Sequence, residues 1–176
     1  MKNLKKLWPL LLLTIAALLL LLPTSVMNKI NPQFSNKKLP RGLRNNNPGN
    51  LRKSAANWAG KVVNPLDTAF ESFDTMSNGV RAALKNAFTQ WNRGKNTIAE
   101  LVSVWAPPSE NNTSAYVATV AKAAGISASK EFMWGNNDTT AKIMYAIFLH
   151  ENGPLAKQYI TLENVRGHLA VLHPLS

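Results

Sequence analysis

The chain of 176 residues contains no cysteine, which excludes disulfides, thiol catalysis and cysteine-ligated metal. Histidine is almost as scarce: His150, His168 and His173 are too few and too scattered for a metal motif, and nothing in the sequence calls for a cofactor. Acids are the third shortage. Nine Asp and Glu face 20 Lys and Arg, giving a formal net charge of +11, of which Lys2, Lys5 and Lys6 contribute +3 and the remainder +8. Between Lys29 and Lys61 there are eight cations and no acid, and the first carboxylate is Asp67. A run of that kind can be ordinary solvated surface, but one sign of charge sustained so long points to an anionic polymer or surface as partner. Nucleic acid, anionic lipid and peptidoglycan with its carboxylate-bearing peptides all qualify. The run is not interleaved with aromatics and carries no nucleic-acid motif, so nucleic acid is not the expected partner.

What the chain has in plenty comes first: residues 7–27, "LWPLLLLTIAALLLLLPTSVM", hold no charge and are long enough to cross a bilayer as a helix. A cleaved signal peptide would end in small residues of the A-x-A kind, which "LLLPTSVMNK" lacks, so an uncleaved signal anchor is the better reading. Three lysines abut its first end, which favours an N-terminus inside and a body outside, although Lys29, Lys37, Lys38, Arg41 and Arg44 follow it. The expected organisation is a membrane helix over 1–27, a basic linker over 28–40 with two prolines, and a domain over 41–176. The expected location is the inner or cytoplasmic membrane, single-pass, with the body facing the periplasm or wall.

The domain reads as mostly helical with a small irregular or β element near its start. "NNNPGN", residues 45–50, has too little apolar surface for core and too many turn formers for a helix. Weak strand signals follow near Val62 and over 70–73. From residue 78, Val80, Ala83, Leu84, Ala87, Phe88 and Trp91 recur at helical spacing until Gly94. A second helix is expected over 97–104, ending before Pro107 and Pro108. Thr113 can cap a third, which Gly125 ends, and Asp138 or Thr139 a fourth, which Gly153 and Pro154 terminate. A fifth from residue 161 turns Leu162, Val165, Leu169 and Leu172 inward.

Three places could carry chemistry. Ile143, Ile147 and Glu151 lie four apart, so a carboxyl closes an apolar helical stripe at the negative end of the helix dipole. Such surroundings favour the protonated form, which suits a general acid; the plain alternative is a Glu solvated beyond the helix end. In "WAPPSENNTSAYV", residues 105–117, Trp105 and Tyr116 offer flat faces on which sugar rings can stack, while Glu110 and Asn111 sit in a turn where Glu110 and Thr113 could merely cap the next helix. In "FESFD", residues 70–74, Phe70 and Phe73 look like core, and Glu71 and Asp74 read more readily as a solvated edge.

Taken together, "RGLRNNNPGNLR", Trp58 and Gly60, "FESF", "NGVRAAL", "WAPPSENNTSAYVATV" and "HENG" resemble a phage-associated family of lysozyme-like proteins, virion structural or peptidoglycan-degrading, over about residues 41–153. "NNNPGNL" with "FESF" is also similar to a segment of flagellar-type endo-β-N-acetylglucosaminidases, and "ENNTSAYVATV" to one in soluble lytic transglycosylases. In both groups the catalytic Glu ends a helix that precedes the Asn-rich segment, whereas here no acid precedes Asp67 and the only helix ending in Glu-Asn-Gly comes after that segment. The resemblance therefore implies an α+β, lysozyme-like fold, circularly permuted, with Glu151 in the catalytic place. It implies a glycosidase or lytic transglycosylase acting on peptidoglycan, with Glu110 or Glu71 as a second carboxylate, or with Glu151 serving alone as acid and then base. Arg44, Asn45, Asn46, Asn47, Asn50, Trp105, Asn111 and Tyr116 are the expected glycan-binding residues. Asn-rich turns can also simply satisfy their own backbone.

Overall fold

The computed structural model describes residues 36–106 and 112–172. The apolar run of 7–27, Glu110, Asn111 and His173 lie outside them, and among the described residues no helix is long and apolar enough to cross a membrane. The domain is mostly helical. Among the described residues six α-helices follow in order: α1 (Arg41–Arg44), α2 (Met76–Asn92), α3 (Ile98–Trp105), α4 (Thr113–Ala124), α5 (Asp138–Asn152) and α6 (Leu162–Leu172), with a 3-10 turn (Pro154–Gln158) between the last two.

Local chemistry sets most helix ends. Thr75 accepts from Asn78 N to cap α2. Thr97 and Glu100 form a reciprocal capping box at α3, each side chain accepting from the other's backbone N–H. The caps of α4 and α5 are Asn112 and Asn137, one position before those expected, since each Asn side chain accepts from the N–H three residues on. Thr113 instead donates its hydroxyl to the Ala106 carbonyl at 2.7 Å. Gly125, at φ +71°, closes α4 in the left-handed conformation that only glycine adopts cheaply.

Helix α5 is the central element and packs against α1, α4, α6 and the 3-10 turn. Its Ile143, Ile147 and Phe148 are fully buried, as are Leu84 of α2, Leu101 of α3, Val120 of α4 and Leu169 of α6. Each such side chain contributes about 1.5–3 kcal/mol by leaving water. A smaller cluster of Leu51, Phe73 and Ala82, flanked by Trp58 and Trp105, lies beneath the loop that follows α1.

The expected β element is reduced to single antiparallel bridges, Arg52 to Phe70 and Lys61 to Phe73. Asparagine side chains share the hydrogen bonding there with a few backbone bonds, such as that from Glu71 N to the Leu51 carbonyl. Asn47 Nδ2 donates to the carbonyls of Leu51 and Glu71, its Oδ1 accepts from Leu51 N, and Asn46 Nδ2 donates to the carbonyls of Phe73 and Asp74. Two glycines let this loop sit close: a Cβ on Gly79 would collide with the Asn46 carbonyl oxygen, and one on Gly42 with the Asn152 side-chain oxygen.

Candidate active site

The C-terminal end of α5 and the Asn-rich loop meet across two hydrogen bonds made by neighbouring residues. Asn50 Nδ2 donates to Glu151 Oε2 at 2.8 Å, and Asn152 Nδ2 donates to the Pro48 carbonyl at 2.8 Å. Asn50 reaches Glu151 because its backbone is left-handed, at φ +45°, a conformation asparagine tolerates better than most residues. The second oxygen, Glu151 Oε1, accepts from the Tyr116 hydroxyl at 2.9 Å. Glu151 is thus held by a donor from the loop and a donor from α4 while its half-buried carboxyl lines an open cleft of about 530 Å³.

Tyr116 is only 2% exposed, and its ring stacks on exposed His150, with centroids 3.6 Å apart and planes within 10°. Burial, then the charge of Glu151 and the hydrogen bond to it, raise its hydroxyl well above the ordinary tyrosine value. It therefore stays protonated and serves as a permanent donor. It is not the open stacking face expected of it, because the ring is enclosed between helix and imidazole.

Trp105 does face the cleft. Its Nε1 donates to the Gly49 carbonyl at 2.6 Å, which fixes the half-buried indole at the wall. Trp58, Phe70 and Asn86 complete the walls with Arg52 and Lys53. Phe70 is half-buried rather than core, with the guanidinium of Arg41 at 4.5 Å and that of Arg52 at 5.2 Å from its ring centroid. Asn86 gave no sequence signal, since one polar residue on an amphipathic helix is indistinguishable from its solvated neighbours. The basic run flagged Arg52 and Lys53 only as charge, without a place.

The remaining expected residues go elsewhere. Asn45, Asn46 and Asn47 are buried, and their amides bond Asp67 or backbone carbonyls rather than face the cleft, so only Asn50 of the four meets the expectation of lining it. The physical reason is that a turn-rich loop with few ladder bonds needs its own amides to close. Arg44 is half-buried at the end of α1. Glu71 is 1% exposed rather than on a solvated edge, and its Oε1 accepts from Lys61 Nζ at 2.9 Å and from Ser54 N at 3.0 Å. Asp74 is exposed, as expected. Among the described residues no group of three His, Asp or Glu side chains is placed to hold a metal ion.

No family model matches the chain. Over 117 residues it is 35% identical to Protein P5 of Pseudoalteromonas phage PM2, an alignment that covers 64% of this chain and 71% of that protein. The chain belongs to the family of that phage protein.

Proposed function

We propose that this protein cleaves the glycan strands of bacterial peptidoglycan, as a glycosidase or lytic transglycosylase, with Glu151 as the general acid. One observation carries the reading: an oriented carboxyl at the end of a buried helical stripe, on the wall of a cleft large enough for sugar rings and bordered by an indole. The lysozyme-like, circularly permuted relationship suggested by motif order belongs to the same proposal. So does anchorage through residues 1–27 with the body facing the wall, in a phage context suggested by the PM2 relative.

Glu151 is the one carboxylate among the described residues that line the cleft. A single acid that protonates the leaving oxygen and then acts as base suits a lytic transglycosylase, in which no second carboxylate need activate water. A non-catalytic wall-binding or virion-structural module is the second reading, favoured by the fact that both oxygens of Glu151 already accept bonds from the protein's own donors.

Digestion of purified sacculi with the full-length chain, followed by mass spectrometry of the released ends, tests the proposal. Anhydro ends are expected for a transglycosylase and reducing ends for a hydrolase. Intact sacculi that nonetheless retain the protein would establish the binding module.

A further inference from the structure

The cleft is electrically lopsided. On its loop wall the acids of the neighbouring segment are committed to partners of their own: Asp67 accepts from Asn45 and pairs with Arg41, and Glu71 accepts from Lys61 and Ser54. Arg52 and Lys53, both exposed, line the same cleft as Glu151 and follow directly after Asn50 and Leu51. Two cations therefore share a glycan-sized groove with one carboxylate. Phe70 fixes the position of Arg52 through its ring face, and the backbone of residue 52 is bridged to residue 70, so this guanidinium is carried on a braced segment.

Positive charge gathered in a concave site attracts anions more strongly than the same charge on open surface. A neutral glycan gains nothing from it. A strand bearing lactyl or peptide carboxylates gains charge-assisted hydrogen bonds, for which a guanidinium has the matching geometry. We infer that Arg52 and Lys53 form a carboxylate-reading subsite of the cleft, which selects glycan strands with ionised carboxyl substituents over neutral glycans of the chitin type. The inference rests on the glycan-cleft reading of the same site and adds to it the charge of the substrate.

The test uses the full-length chain carrying Glu151→Gln, so that binding is read without cleavage. Three probes are compared: peptide-free peptidoglycan strands, which keep their lactyl carboxylates, the same strands with those carboxylates converted to neutral amides, and chitotetraose. The charged strands should bind about tenfold more tightly than the amidated ones at low salt, and the gap should narrow as salt screens the cations. Adding Arg52→Gln and Lys53→Gln together should remove the preference, lowering affinity for the charged strands to that for the amidated ones, with an unchanged circular dichroism spectrum reporting an intact fold. Lys53→Gln alone, which keeps the contact of Arg52 with Phe70, should lose about a third to a half of the preference on a logarithmic scale, as one of two cations. Equal binding of charged and amidated strands, or a preference that survives the double substitution, would overturn the subsite. Failure of all three probes to bind would overturn the glycan reading itself, a result distinct from loss of selectivity.

Discussion

Asn50 and Glu151, 101 positions apart in the chain, are joined by a 2.8 Å hydrogen bond from amide to carboxylate. The next residue, Asn152, is buried and donates to the Pro48 carbonyl of the same loop. One helix end thus presents a carboxyl to the cleft and anchors the cleft's wall at the same time. Proteins that place both duties on adjacent residues should show them separating under substitution.

Replacing Glu151 by Gln keeps size and packing at the end of α5 and removes the transferable proton. If Glu151 is the general acid proposed above, its loss should cost about a hundredfold to ten-thousandfold, so release of fragments from sacculi should fall by that factor while strand binding persists. Glu71→Gln should do the reverse. It leaves the Lys61 ammonium, which Glu71 contacts at 2.9 Å, without its counter-charge, costing about 2 kcal/mol in denaturant unfolding with activity per folded molecule retained. Full activity in the Glu151 variant would remove it from the reaction.

Asn46 and Asn50 look equivalent in sequence and should not behave so. Asn46→Ala removes amide bonds to two carbonyls and places alanine at φ +51°, so unfolding free energy should drop by about 2–3 kcal/mol with little direct effect on turnover. Asn50→Ala also places alanine in the left-handed region, at φ +45°, but removes only one amide bond and leaves Glu151 with one donor. Activity should fall more than stability, measured as kcat/KM beside the melting temperature.

Tyr116→Phe isolates the hydroxyl, since the ring's burial and its stacking on His150 are kept. A buried hydrogen bond to a charged group contributes about 1.5–3 kcal/mol to stability, so the melting temperature should fall by several degrees, and if Glu151 acts as proposed, kcat/KM per folded molecule should fall as well, by about tenfold or more. An unchanged kcat/KM would mean that Asn50 alone orients the carboxyl.

Asp67 and His168 are among the groups that give the fold a pH dependence whose sign can be worked out, and the exposed Glu100 and Asp138, held low by hydrogen bonds, act in the same direction as Asp67. Burial raises Asp67, but the side-chain bond from Asn45, the N–H groups of Ala69 and Phe70 and the charge of Arg41 outweigh it and hold the carboxyl below its ordinary 3.8. Its contribution is present above that value and is lost as pH falls through the lower folded one. His168, beside Ser77 Oγ at 3.1 Å, is depressed below its ordinary 6.5 by burial and then by the charge of Arg81. The fold favours the neutral imidazole, so its contribution is complete above 6.5 and disappears as pH falls through the depressed value. Denaturant titrations should show stability declining in two stages below about pH 6.5, with His168→Gln abolishing the first.

Helix positions were legible because they depend on near neighbours. The apolar spacing of Val80, Leu84 and Ala87 and the glycines after α4 and α5 are readable within a few residues, and the structure keeps those helices to within a position or two at each end, whereas the four-residue α1 is too short to show a period and was not expected. The stripe through Ile143 and Ile147 to Glu151 was equally plain, since one helix carries it whole. What the sequence could not determine was the partner of each polar side chain. Four asparagines in six residues look alike on the page, yet three turn inward to close the loop and one reaches Glu151; Glu71 and Asp74, three apart, end on opposite sides of the surface. Periodicity says which face of an element is apolar. Where a donor finds its acceptor depends on elements a hundred residues away, and only their packing brought Asn50, Tyr116 and Glu151 to one point.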